Sequence, residues 1–281
     1  MSSIPQPAFQ IAPTGWPQMD TQDYELVIDA GHRHFNYAIL DPVGKKILVI
    51  QAHDIRSGGI IQWLKDAKEL PVCGMTFSRI RVFFNLPDSV LVPHELYRTS
   101  ENEKLINIVH GDLLNGSIME EEIQDMGFYH VYRIPQNYLS NLLQLFPDAE
   151  IAHIYSCLLR NLVISPDDPD QFRLFFYSHS ILVILIRKGR FHLIQSYPYD
   201  LPEDVSYQLL NICEQVKLDP ASVHVFISGG VDPDSSLYAE VLKYFLEVEW
   251  MHTTGDYQLN EVISGHPDHY FHPYTLMATC E

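Results

Sequence analysis

A short acid-and-glycine word, Asp29-Ala30-Gly31, closes an apolar run and is followed by three large polar residues, His32-Arg33-His34. From the residues alone, Asp29 and Gly31 make a turn between two strands, with Arg33 beside them. A second word, Ser228-Gly229-Gly230, ends a β-branched run, where a glycine pair permits positive φ and lets a ligand come close to the backbone. The same pair also suits an ordinary strand-to-helix turn, with Asp232 or Asp234 capping the next helix. His266, His269 and His272 recur at every third position with Asp268 among them, and imidazole suits Zn, Ni or Cu. Pro267 and Pro273 interrupt that spacing and HExxH is absent, so surface or edge histidines are expected and no metal ligand is assigned. His32 and His34 alternate on one strand face and are read in the same way. There is neither a GxSxG elbow nor a GxxxxGK[ST] loop. With 14 histidines and 36 acids a triad can be picked anywhere, so no catalytic residue is assigned. Cys73, Cys157, Cys213 and Cys280 are far apart and form no CxxC. Neither a disulfide framework nor a thiolate zinc site is expected; inert, buried thiols in a reducing cytoplasm are.

Composition narrows the function classes. The chain has 281 residues, 46% of them hydrophobic, enough to bury a core without disulfides or metal. Eighteen basic residues against 36 acidic give a formal charge of −18, which repels phosphate backbones and excludes a nucleic-acid partner. The longest clean apolar run, 181–186, falls far short of the roughly 20 residues that span a bilayer, so no membrane span is expected. The N-terminus carries neither a basic n-region nor an apolar h-region, so a cytoplasmic location is expected.

The elements that must position these words follow from periodicity. Residues 1–21, with prolines at 5, 7, 13 and 17, read as a tail or an edge-packing arm. Strands over 25–29, 35–40 and 46–51 with tight connections form a meander, and Ser57-Gly58-Gly59 opens an amphipathic helix over 60–68. A strand over 78–84 comes next. The region 87–146 reads as a small inserted module with strands at 90–92 and 127–134, helical stretches at 103–109 and after Pro135, and Glu120-Glu121-Glu122 as a solvated face. A short strand over 149–153 runs into a helix over 155–162. Ser165-Pro-Asp-Asp-Pro-Asp170 is turn chemistry throughout and serves as a linker. After it come strands over 172–176, 181–187 and 191–196, a helix over 203–215, a strand over 223–227 and a helix over 235–246. The halves, 22–164 and 171–281, share an order of elements without evident sequence identity.

A three-strand meander followed by helix and strand, made twice, resembles the ribonuclease H-like halves of the actin-like ATPase superfamily. The implied fold class is α/β, a duplicated ribonuclease H-like, actin-type fold of two lobes with a small α+β subdomain inserted in the first. Local words are more specific: Leu91-Val-Pro-His-Glu-Leu-Tyr97, Val131-Tyr-Arg-Ile-Pro135, Phe146-Pro-Asp-Ala-Glu-Ile-Ala-His153 and Glu203-Asp-Val-Ser-Tyr-Gln-Leu-Leu210. These, with His53-Asp-Ile-Arg56 and Ile227-Ser-Gly-Gly230, resemble an uncharacterised bacterial family catalogued as a domain of unknown function and grouped with the actin-like proteins.

That resemblance implies ATP and Mg²⁺ as the ligands to test for, held between the two halves. It maps phosphate contact to Asp29, Gly31 and Arg33, and adenosine contact to Ser228, Gly229 and Gly230. The corresponding hairpin of the second half is Tyr177-Ser178-His179-Ser180, which has neither acid nor glycine and puts a phenol where phosphate needs room. The expectation is a degenerate ATPase fold, not an enzyme, serving as a binding or scaffolding module; the alternative is nucleotide binding with little or no hydrolysis. Like the pilus-assembly actin-like proteins it resembles, the chain is expected to take a protein partner through the inserted module, and self-association as a homodimer is a further expectation.

Overall fold

Residues Glu25 to Gly31 are buried almost throughout because their strand sits mid-sheet, and a mid-sheet strand covered on both faces reads as a continuous apolar run. The structure, a computed structural model, describes residues 5–55, 59–113, 115–253, 257–259 and 265–280. The Ser57-Gly58 opening of the first helix lies outside these residues.

In chain order the first half contains β1 (Phe9–Ile11), β2 (Glu25–Gly31), β3 (His34–Asp41), β4 (Lys46–Asp54), α1 (Gly59–Ala67) and β5 (Arg79–Asn85). The inserted run supplies β6 (Ser89–Pro93), α2 (Asn102–His110), β7 (Gly116–Ile123) and β8 (Phe128–Pro135). Then come α3 (Gln136–Leu145), β9 (Glu150–His153) and α4 (Ile154–Arg160). The second half contains β10 (Gln171–Phe176), β11 (Ser180–Arg187), β12 (Arg190–Pro198), α5 (Pro202–Val216), β13 (His224–Gly229), α6 (Ser236–Leu242), β14 (Glu247–Trp250), β15 (Gln258–Leu259) and α7 (His272–Thr279).

One sheet runs β1-β4-β3-β2-β5-β9 and another β12-β11-β10-β13-β14. Leaving out the edge strand β1, both orders are third, second, first, fourth, fifth. The meander strands pair antiparallel through short turns, whereas β5 joins β2, and β13 joins β10, in parallel. A parallel neighbour requires a crossover, and α1 and α5 supply it. The first core gathers Leu26, Ile28, Tyr37, Val82 and Phe84, and the second Phe172, Leu174, Val183, Val225 and Ile227.

Several expectations change. Of the two readings of the N-terminal arm, tail or edge-packing arm, the second holds for β1: Phe9 pairs with Ala52 and Ile11 with Ile50, and Gln10 accepts a hydrogen bond from Gln51 Nε2 at 2.6 Å. The helix expected over 235–246 stops at Leu242. The alternating Glu247-Val-Glu-Trp250 forms β14 on the edge of the second sheet, where His224 pairs with Glu247 and Ile227 with Trp250. Residues 120–122 belong to β7, in a three-stranded sheet ordered β6-β8-β7, and the solvated face holds for Glu120 and Glu122, which are exposed, but not for Glu121. Glu121 turns inward: one carboxylate oxygen accepts from the His153 amide at 2.7 Å, the other from Arg160 at 3.0 Å. Val92, Ile106 and Val131 make the insert's own small core, whereas Tyr138, Leu142 and Phe146, also read as part of the module, pack into the larger first core.

The chain divides into two compact units, Met1–Asn161 with Asp256–Ile263 and Met277–Glu281, and Leu162–Gly255 with Ser264–Leu276. The pattern of the sequence had placed everything after 171 in the second lobe. Backbone pairing explains the difference: β15 pairs in parallel with β4, and Arg81 donates to the carbonyls of Met277 (3.0 Å), Ala278 (3.3 Å) and Cys280 (2.5 Å).

The insert is joined to the rest of its unit by buried imidazoles. His130 on β8 is fully buried, with Nδ1 2.8 Å from Ser156 Oγ and its ring 4.7 Å from that of His153. His153 accepts from the Tyr155 amide at 3.1 Å, and its Nε2 lies 3.0 Å from the Leu86 carbonyl oxygen. Burial holds both rings neutral, pushing His153 down to about 3 and His130 well below the usual imidazole range. Burial likewise lowers His53 to about 4. Unfolded, each titrates near 6.5 and so binds protons that the folded chain refuses. Stability is therefore level above that pH and falls below it, by about 1.4 kcal/mol per pH unit for each such ring. Urea unfolding should show a clearly lower midpoint at pH 5.5 than at pH 7.5; equal midpoints would contradict the neutral-imidazole account.

Candidate functional site

The β2–β3 hairpin turns through two residues, His32 and Arg33, both exposed. Ala30 pairs with Phe35, so continuing the register sets Gly31 opposite His34, with Asp29 diagonal to it on the same face. Asp29 is buried, and His34 folds back over the glycine to place Nε2 2.9 Å from Asp29 Oδ1. A Cβ at Gly31 would lie 2.2 Å from the His34 ring, so the glycine is needed there to admit the imidazole. From below, the Tyr138 hydroxyl of α3 donates to the Gly31 carbonyl at 2.9 Å. Burial, with the Asp29 charge second, raises the Tyr138 phenol well above its ordinary value and keeps it a donor. Arg33 contributes its carbonyl oxygen to the Ile55 amide at 2.8 Å.

The second unit closes the equivalent strand ends with its own backbone. Gly229 has φ +90°, and a Cβ there would meet the Phe176 carbonyl oxygen at 2.3 Å. The Gly230 amide donates to that same oxygen at 3.0 Å. Ser228 is fully buried; its hydroxyl donates to the His269 carbonyl at 3.3 Å and lies 3.2 Å from His272 Nδ1. The β10–β11 turn is filled by Tyr177, buried, whose amide donates to Ser180 O at 2.9 Å and whose carbonyl accepts from Tyr199 at 2.5 Å. The cap of α6 is Ser235, which accepts from the Tyr238 amide at 3.2 Å, and not Asp232 or Asp234.

The C-terminal histidines separate into different tasks. His269 Nε2 lies 2.8 Å from the Val231 carbonyl oxygen, and its ring stacks on Trp250 at 4.1 Å. His272 stacks on Phe175 at 5.8 Å, and burial, with Arg173 second, lowers it to about 4. His266 is exposed, and Asp268 accepts from the Thr253 amide and hydroxyl, both at 2.7 Å. Among the described residues no three His, Cys, Asp or Glu side chains are grouped to hold a metal ion.

A phosphate cradle needs open backbone N–H groups, and a magnesium ion needs free hard oxygens. As arranged here the residues do not fit that group. Asp29 is engaged by an imidazole, the space over Gly31 is full, Ser228 is turned inward, and Gly229 is pressed against a carbonyl. Of the six candidate residues, only Arg33 and Gly230 are exposed.

Comparison with known proteins follows the same line. A family model described as a protein of unknown function, DUF3822, matches residues 17–248. The chain belongs to that family. No curated protein matches it. Among solved structures it is similar to a Bacteroides thetaiotaomicron protein with an actin-like ATPase fold and unknown function, at 17% identity and TM-score 0.74, covering 93% of this chain and 97% of that one. It is also similar to a chain of the PilM–PilN type IV pilus biogenesis complex, at 10% identity and TM-score 0.58, covering 93% and 98%. At these identities the likeness is one of fold: the chain has an actin-like ATPase fold.

Sequence reading missed that His34 closes the hairpin and that Tyr138 supports it. The shared face of positions 29, 31 and 34 across a two-residue turn was the available signal for His34; nothing local announced Tyr138. Gly31→Ala should cost about 1–3 kcal/mol by overpacking against the imidazole. In a double-mutant cycle with His34→Ala most of that cost should vanish, whereas additive losses would refute the steric account.

Proposed function

We propose that this chain is a non-catalytic binding or scaffolding module built on an actin-like ATPase fold, and that its inserted module receives a protein partner. The observation that carries this reading is the His34 imidazole seated on Gly31 and hydrogen-bonded to Asp29, which uses the acid and the glycine for internal packing. The filled β10–β11 turn supports it from the other unit.

The insert offers the surface. Leu96 is 70% exposed, Ile108 72%, Val109 60% and Leu113 42%, an apolar share beyond what the small core of this module uses. Beside Ile108, an open hollow along α2 is lined by Ser100, Glu103, Lys104, Asn107 and Asp112. Apolar anchors ringed by polar groups suit a protein ligand. PilM, a fold neighbour, occurs in a complex with PilN, which gives a precedent for a binding role on this fold.

Nucleotide binding without hydrolysis is the second reading, and one observation favours it. Gly230 is exposed, and a Cβ there would meet nothing closer than 4.0 Å, so its face of the turn is open.

A ligand that binds only the folded state raises the melting temperature by mass action. Millimolar Mg-ATP should leave the melting temperature unchanged; a rise that Gly230→Val abolishes would establish the second reading over the first. Ile108→Glu with Val109→Lys should preserve the melting temperature while abolishing capture of partner protein from extracts of the native cell. Undiminished capture would remove the insert from the proposal.

A further inference from the structure

A sheet edge presents a row of backbone groups that can pair with another strand, and folded proteins blunt it with short strands, charges, proline or bulges. In the first unit the outer meander strand, β4, is covered by the chain itself. β1 pairs with it antiparallel through Phe9 to Ile11, and β15 pairs with it in parallel. β12 holds the same place in the second sheet, third in its meander and at the end of the strand order. Among the described residues no strand is added to it.

The composition of β12 sets it apart from the other edges. β14 has four residues, two of them glutamates, and β9 has four and holds Glu150. β7 carries Glu120, Glu121 and Glu122, and β6 ends on Pro93. β12 has nine residues and no acid, in a chain with 36 acids. Its bulge lies at the hairpin end, between the pairs Leu185–Leu193 and Ile186–Phe191, and its proline at the far end. Between them Leu193-Ile194-Gln195-Ser196-Tyr197 is regular and uncharged. Charge is also separated along the strand: Arg187, Lys188 and Arg190 stand at its start, and Asp200, Glu203 and Asp204 follow its end.

We propose that β12 is the edge through which two copies of this chain associate, antiparallel about a two-fold axis at Gln195, joining their second sheets into one. The inference is independent of the readings of the insert and of the nucleotide elements.

Charge and register both select a second copy. An antiparallel copy lays the basic start of each strand along the acidic end of the other, and a two-fold axis makes this happen twice. A strand without acids is also where two chains of formal charge −18 approach with least repulsion. The Tyr199 amide donates to the His179 carbonyl at 3.2 Å, and antiparallel bonding alternates along a strand. The backbone groups of Gln195 therefore face β11, and those of Ile194 face outward. An axis at Gln195 makes the two Gln195 residues a non-hydrogen-bonded pair, the kind whose side chains lie closest, and confines the pairing to the regular run. Leu193 then meets Tyr197 of the second copy, an aliphatic–aromatic pair, and Ile194 meets Ser196. Arg190 stands opposite Asp200, and no like charges are opposed. Leu193 and Tyr197 pack partly buried against the second core, whereas Gln195 is exposed, so a change at Gln195 reaches the contact without disturbing the core.

The test is sedimentation velocity on the untagged full chain across the micromolar range. The run from Leu193 to Tyr197 is a small contact, so a monomer–dimer equilibrium that shifts with concentration is expected. Hydrogen exchange of a peptide covering 193–197 should slow as the dimer fills. Gln195→Lys and Gln195→Glu each set like charges directly opposite one another. Each should stay monomeric with the melting temperature of the dilute parent, and the two mixed in equal amounts should regain the dimer, because Lys then faces Glu. Ile108→Glu with Val109→Lys should dimerise as the parent does. A chain monomeric throughout the range, as it would be if a strand of another protein took this edge, would overturn the proposal. So would a dimer that both Gln195 variants leave intact, or variants that remain monomeric when mixed.

Discussion

The contact on which the functional reading turns is the 2.9 Å hydrogen bond between His34 and Asp29 across the face of Gly31. A buried carboxylate without a partner is costly, and a glycine beside it leaves a gap that something must fill. Both needs are met by one imidazole, whose ring occupies the space a Cβ would have taken. The Tyr138 hydroxyl then satisfies the Gly31 carbonyl from the other side. A strand end that other arrangements leave open to a ligand is here a finished piece of core.

The second unit reaches the same result by a different route. Its Gly229 is explained by the parallel pairing of β13 with β10, which ends with Phe176 opposite that glycine. Only a residue at φ +90° without a Cβ passes the Phe176 carbonyl and lets the next amide donate to it. Gly229 is thus a requirement of the sheet, whereas a Cβ at Gly230 would meet nothing closer than 4.0 Å. Like Gly229, Ser228 is used by the fold, since its hydroxyl ties the strand end to the segment holding His269 and His272.

The meanders, the crossover helices and the duplicated order were legible because they are encoded locally, in apolar runs of strand length separated by turn residues. Where side-chain partners come from afar, legibility failed. Glu121 looked solvated among three acids, but it receives the His153 amide and Arg160, 32 and 39 residues away. The strand β14 escaped notice because four residues carry little period, although its alternation of charged and apolar side chains was visible. The grouping of the C-terminal segments with the first unit depends on chain reversals that no local window contains.

Polar burial in the first unit follows one rule, which also explains why the insert is held firmly. His130 on β8 and His153 at the end of β9 are both neutral and buried, and each is matched to a hydroxyl, an amide or a carbonyl of α4 or of the β5–β6 connection. A neutral imidazole can accept at one nitrogen and donate at the other, as His153 does between α4 and the β5–β6 connection, whereas His130 bonds through Nδ1 to Ser156. The cost is acid sensitivity, since a proton on either ring would create a buried charge with no carboxylate hydrogen-bonded to it. Leu96, Ile108 and Val109 stay exposed on the insert that these rings tie down.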